Sequence, residues 1–284
     1  MISRVEMAET QTGKNIEKRS DKDDILGVYT EIFSAKTSIE GQDGGVVTAM
    51  LVYGLSEDMF DVVVVVQHKK GTGANIIVSK KLDEVHAARG TKYVKMGTAS
   101  KLKHLVGQGK KRIAVVCTPC QATAARKIEQ ALKREEPDLK VTVIGLFCFE
   151  AFNYEKLKTE TRRLLGVDLD EAEKVQVRKG NFIVHSMGKA YSCSIGDLAN
   201  AVEAGCSVCG DFSARFADIS VGSVGSRNGY STVIVRSEAG SQLLQGLTFD
   251  RETVDKEEIL RLCRVKKKRA EKTAFLRGIQ GKSE

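Results

Sequence analysis

The chain has 284 residues, 42% of them hydrophobic and 29% charged, a balance that suits one large or two modest folded domains and excludes a disordered chain. The apolar run Val62–Val66 is far too short to cross a bilayer and the N-terminus lacks the apolar stretch of a secretory signal, so a cytoplasmic protein with no transmembrane segment is expected. The net charge of +8 is concentrated at one end, where residues 256–284 hold ten Lys or Arg against four Asp or Glu; that reads as a solvated or subunit-docking helix, not as a nucleic-acid-binding face.

Residues 1–24 are polar and without apolar periodicity, and read as a flexible extension. After GQDGG, the segment VVTAMLVYGL is apolar on all sides and suits a buried helix, and DVVVVVQHK is a β-branched run suited to a strand buried on both faces. KLDEVHAARG and SKLKHLVGQGK read as short helices closed by glycine, RIAVVC as a second buried strand, QATAARKIEQALKRE as a helix and KVTVIGLFC as a third strand. NYEKLKTETRRLLG follows as a charged helix. Beyond about residue 165 the pattern changes to the alternation of VQVRKGNFIVHSMGKAYSCSI, an antiparallel unit turning at Lys179-Gly180 and Met187-Gly188. DLANAVEAG reads as a short helix, and DISVGSVGS and STVIVRS as further strands. The expected fold is mixed α/β: a mostly parallel sheet body over residues 25–250, an antiparallel insertion within it, and a basic helical tail over residues 251–284.

Seven cysteines in a compartment that keeps thiols reduced point to metal or redox chemistry. Cys117-Thr118-Pro119-Cys120 and Cys206-Ser207-Val208-Cys209 are CxxC pairs, whose spacing lets two sulfurs face one centre. The first pair follows a strand and opens a helix, which is also the layout of a thiol–disulfide oxidoreductase. The second lies in a loop, as a ligand pair would. Cys120 and Cys148 fall at the C-terminal ends of expected parallel strands, where open α/β sheets gather ligands, whereas Cys193 and Cys263 read as packing residues. Spacing alone leaves structural zinc, an iron–sulfur cluster and dithiol chemistry open. Three glycine-rich segments, Gln42-Asp43-Gly44-Gly45, Arg89-Gly90-Thr91-Lys92-Tyr93 and Gly222-Ser223-Val224-Gly225, offer backbone N–H groups to phosphate oxygens, although each also reads as an ordinary turn.

Taken in order, GQDGGVVTAML, AARGTKY, CTPCQATAARK, GLFCFEAF, AGCSVCGDF and ADISVGSVGS resemble the beta subunit of coenzyme F420-reducing hydrogenase and its F420-linked relatives. The resemblance implies an oxidoreductase subunit that passes electrons between one 4Fe-4S cluster and coenzyme F420, its substrate, by way of FAD. It implies cluster ligands at Cys120, Cys148, Cys206 and Cys209, and FAD contacts among Gln42, Asp43, Gly44, Gly45, Gly90, Thr91, Lys92, Tyr93, Gly222, Ser223 and Gly225. Arg89, Lys92 and Arg126 are the cations suggested for the anionic tail of F420. The implied partners are hydrogenase large and small subunits, or those of a formate dehydrogenase or heterodisulfide reductase.

Overall fold

The structure is a computed structural model and describes residues 23–71 and 73–278. The N-terminal extension expected over residues 1–24 lies outside them but for its last two positions. The strands are β1 (Glu31–Lys36), β2 (Val62–Lys69), β3 (Gly73–Ser79), β4 (Arg112–Cys117), β5 (Lys140–Leu146), β6 (Lys174–Arg178), β7 (Asn181–Ser186), β8 (Lys189–Ser194), β9 (Ile219–Gly222), β10 (Ser231–Val235) and β11 (Asp250–Glu252). The helices are α1 (Asp23–Leu26), α2 (Val46–Ser56), α3 (Leu82–Ala87), α4 (Lys101–Gly107), α5 (Pro119–Leu132), α6 (Tyr154–Leu165), α7 (Glu238–Gln242) and α8 (Lys256–Leu276). Among the described residues no helix is long and apolar enough to cross a membrane.

The central sheet runs β11-β1-β10-β9-β5-β4-β2-β3. Its middle, β2-β4-β5-β9, is parallel, as the continuous apolar runs require of strands covered on both faces. Alternation along β2 sends Val63 and Val65 to the face covered by α2, and Val62 and Val64 to the face that packs with α4 and α5. Both margins are antiparallel: β3 pairs with β2 on one side, and β10, β1 and β11 follow β9 on the other. The expected helix over DLANAVEAG is instead 3-10 structure over Ile195–Ala201, followed by a second such turn at Ala204–Val208.

A separate antiparallel sheet, β6-β7-β8, forms from the alternating segment, and its two hairpins turn where the sequence places them. Lys179 and Gly180 have φ 47° and 76°, and Met187 and Gly188 have 51° and 70°, the paired left-handed conformations that two-residue hairpins use. Phe182, Val184, Leu198 and Phe152 close a core of their own beneath this sheet, with α6 packed on it. The last helix is part of the body: Ile259, Leu260 and Cys263 of α8 are buried with Leu26, Phe212 and Ile234.

Candidate functional site

A cavity of about 370 Å³ opens at the C-terminal ends of the parallel strands. Residues 41–43 and 45–48 form one wall, the 88–98 segment a second, and the strand ends at 65–66, 116–118 and 146–152 the floor. Val177 and Ile195 overhang it from the small-sheet subdomain. This is the position at which a parallel sheet leaves a crevice between loops that follow neighbouring strands.

The first wall is the start of α2. Gly45, at φ 72°, caps that helix, so the unpaired N–H groups of its first turn face the cavity. Gly44 is buried beside it with its N–H donated to Ser231 Oγ at 3.0 Å, and a Cβ there would lie 2.2 Å from the Ala35 carbonyl oxygen. Gly44 is thus a close-approach glycine behind the wall and does not line the cavity. Asp43 lines it and pairs with Arg178 at 3.2 Å; burial raises its carboxyl pKa, while Arg178 and Lys174 oppose the rise. Arg178 also donates to the Asn228 side chain, so one guanidinium ties the small sheet to two loops of the body.

The second wall is shaped by Lys92. Its ammonium donates to the carbonyls of Ala88, Arg89 and Gly90, the latter two at 2.9 Å, and so gathers the chain beyond α3 into a loop. Burial pushes this ammonium down to about 8. With its donors taken up by backbone, Lys92 works as a clamp and has no N–H left for an anion. Tyr93 accepts from the Val177 N–H at 2.9 Å, and Arg89, at the rim, pairs with Glu40 at 3.5 Å. Thr98 is buried in the wall with its hydroxyl unpartnered among the described residues.

Two suggested positions fall elsewhere. Gly225 (φ 86°) donates to Glu258 and accepts from the Asp255 N–H, which docks the start of α8. Arg126 is taken up by Asp218 at 2.6 Å, Glu129 at 2.8 Å and the carbonyls of Phe216 and Val141, away from the cavity. Gly222 and Ser223 do line it; at Gly222 a Cβ would sit 2.2 Å from the Phe147 ring, so that glycine makes room for an aromatic wall. Phe147 packs on Phe212 with ring centroids 5.3 Å apart, and Phe149 meets Phe212 edge-on.

Beyond that wall lie the thiols. Cys148 follows β5 and lines the cavity floor, Cys120 is exposed in the first turn of α5, and Cys206 and Cys209 flank the end of the Ala204–Val208 turn. Burial pushes the Cys148 thiol up to about 12; Lys266 opposes that, and Cys206, Cys120 and Cys209 are near enough to reinforce it. The Ala151 N–H donates to Cys206 Sγ at 3.4 Å. From α8, Lys266 donates to the Cys148 carbonyl at 2.5 Å, and Arg269 reaches the carbonyls of Phe149 and Cys206 while pairing with Glu150 at 2.7 Å. Among the described residues no three His, Cys, Asp or Glu are drawn together closely enough to hold a single metal ion. Cys117 is buried in the apolar layer with Ala122 and Ala125, and burial raises its thiol pKa, the reverse of what a nucleophilic dithiol needs. Cys193 lies in β8 and Cys263 in the core under α8, as packing residues.

Comparison with known proteins matches residues 32–103 and 110–260 to the N-terminal and C-terminal parts of one family, the coenzyme F420 hydrogenase/dehydrogenase beta subunit. The chain belongs to that family. It is 34% identical over 231 residues to the coenzyme F420 hydrogenase subunit beta of Methanothermobacter thermautotrophicus, covering 78% of this chain and 82% of that one. It is also 34% identical over 257 residues to the coenzyme F420-dependent sulfite reductase of Methanocaldococcus jannaschii, of which it spans 40%. A chain of the F420-reducing [NiFe] hydrogenase complex from Methanosarcina barkeri superposes with a TM-score of 0.85 at 28% identity, over 94% of this chain and 97% of that one. The family's fold accounts for the parallel core, the added small sheet and the terminal helix together.

Proposed function

We propose that the chain is the F420-handling subunit of a redox complex, exchanging electrons between a 4Fe-4S cluster and coenzyme F420 by way of FAD. The observation that carries this reading is the juxtaposition of one apolar crevice, closed by a helix N-terminus, with four neighbouring thiols on its far side. The thiols come from three separate segments, and a cubane takes one thiolate on each iron, which suits sulfurs set more widely than around a single ion. The N–H donated to Cys206 Sγ and the buried ammonium beside Cys148 also fit an anionic sulfur site.

When bound, FAD supplies the exchange between a carrier that moves hydride and a cluster that moves single electrons. The chain's own part is to hold and to exclude. The first turn of α2, with the backbone N–H groups of Gln42, Asp43 and Gly45, would hold the diphosphate. Lys92 keeps Gly90, Thr91 and Tyr93 in place, and Phe147, Phe149 and Phe212 keep water from the side facing the cysteines. Cys120, Cys148, Cys206 and Cys209 would hold the cluster, which would supply single-electron exchange, with Cys120 on its exposed side. At the cavity, Arg89 would meet the anionic tail of F420 by exchanging its exposed partner Glu40 for that tail. Hydrogenase subunits are the partners this reading favours, because the solved relative is a chain of a hydrogenase complex and is matched along nearly its whole length.

The test is anaerobic reconstitution with FAD, iron and sulfide, followed by absorbance and by iron, sulfide and flavin analysis. Flavin and cluster bands bleached by reduced F420 are expected. A protein that stays colourless, or that binds zinc in place of iron, overturns the reading.

A further inference from the structure

Helix α8 carries a run of cations, Lys266, Lys267, Lys268 and Arg269, yet their environments differ sharply. Lys267 and Lys268 are exposed; Lys266 is 1% exposed, among the most deeply buried side chains of the protein. A desolvated ammonium is costly unless an anion or several acceptors answer it. Arg236, the other buried cation among the described residues, shows what full compensation looks like: its guanidinium meets the carbonyls of Leu26, Val28 and Ser213 and the hydroxyls of Ser213 and Ser220. Lys266 has a single acceptor among the described residues, the Cys148 carbonyl at 2.5 Å, and no carboxylate within ion-pair distance. Glu150, whose neighbour Phe149 also accepts from this helix, is already paired with Arg269. That one acceptor is the backbone of a thiol residue, and from there the charge of Lys266 favours the thiolate forms of both Cys148 and Cys206.

We propose that Lys266 is the fixed counter-charge of the four-cysteine site, a positioning residue that favours the electron-loaded state of whatever iron–sulfur centre those thiols hold. The inference rests on the cluster reading above. Four thiolates outweigh the positive charge of an iron–sulfide core, so the loaded site is anionic and becomes more so on accepting an electron. A buried cation beside two of the ligands stabilises the reduced state more than the oxidised one and raises the reduction potential. Its exposed neighbours, screened by solvent, have no comparable hold on the site.

The experiment compares the full-length wild type with K266M, K266Q, K266R and K268M, each reconstituted anaerobically with iron and sulfide. Iron and sulfide per chain are measured, and the cluster is titrated with its spin signal as readout. K266M removes the charge, K266Q removes it but keeps an N–H donor for the Cys148 carbonyl, and K266R keeps it. At the wild-type midpoint the ratio of reduced to oxidised cluster is expected to fall at least tenfold in both neutral variants, about 59 mV for one electron. K266R and K268M are expected to titrate with the wild type. Equal midpoints in the neutral variants and the wild type would overturn the proposal, as would failure of both neutral variants to fold before iron is added, which would make Lys266 a residue of the fold alone. A wild type that holds no iron and sulfide would instead remove the cluster reading, and is recognised before any variant is compared.

Discussion

Replacing Arg126 with glutamine is expected to cost stability and leave F420 handling intact. Arg126 holds one end of a buried polar chain: Asp218, Glu129 and the carbonyls of Phe216 and Val141 all accept from it, and the two carboxylates are 10% exposed. Removing the guanidinium does not strip its partners bare. Asp218 keeps the Val143 N–H at 2.7 Å and the Ser237 hydroxyl at 2.7 Å, and Glu129 keeps Lys133 at 2.8 Å. The loss should therefore lie at the lower end of that for breaking a buried ion pair, about 3 kcal/mol. For a chain of this size that is a fall in melting midpoint of roughly 6 °C. The pH dependence follows from Glu129. Burial alone would raise its pKa, but Lys133 and Arg126 together hold it below the ordinary value, so the stability it contributes is present at neutral pH and is lost as pH falls through its folded pKa. In R126Q part of that acid sensitivity should vanish. Urea unfolding between pH 7 and pH 4, alongside F420 binding by fluorescence quenching, reads both quantities. A variant as stable as the wild type but deficient in F420 binding would refute the structural assignment and restore Arg126 to the substrate site.

At Gly222, alanine would drive the Phe147 ring toward the cavity; an overpacking cost of about 1–3 kcal/mol and at least a tenfold loss of flavin affinity are expected, measured by melting and flavin content. C206S should lose iron on reconstitution while C117S keeps it, because Cys117 faces the apolar layer under α5; iron retained by C206S and lost by C117S would reverse the ligand assignment. Burial pushes the Lys92 ammonium down to about 8 from 10.5, so above pH 8 the unfolded chain holds this proton more tightly than the folded one. Between pH 8 and pH 10 this residue should therefore make the fold more stable as pH rises, by at most roughly 3 kcal/mol, and K92M should show a flatter profile in denaturant titrations.

The parallel core was legible because β2, β4 and β5 are buried on both faces and each reads as a largely apolar run rich in β-branched residues. The small sheet was legible for the opposite reason, since its strands alternate and its turns carry glycine where the backbone goes left-handed. What escaped were the marginal strands. Glu31–Lys36 and Gly73–Ser79 mix polar and apolar residues in short stretches, and only pairing with β10 and β2 makes them strands. At the site, glycine patterns marked the right loops but not which glycines face the cavity. Gly44 and Gly225 are equally constrained and serve packing and docking. Arg178 and Thr98, which do shape the crevice, carry no local signal, because their roles depend on segments far away in the chain.

The terminal helix shows a different limit. Summed as charge, residues 256–284 describe a solvated tail. Laid on a helix, Ile259, Cys263, Lys266 and Ala270 recur at steps of four, three and four, which is one buried stripe. Composition averages over all faces and so hides that a lysine occupies a core position in this stripe. An inward lysine is the residue least suited to plain packing, because its ammonium must be answered by charge or acceptors from the body. The body answers with the Cys148 carbonyl and the thiols around it, which places the last helix over the four-cysteine site and makes it part of the body, not a tail.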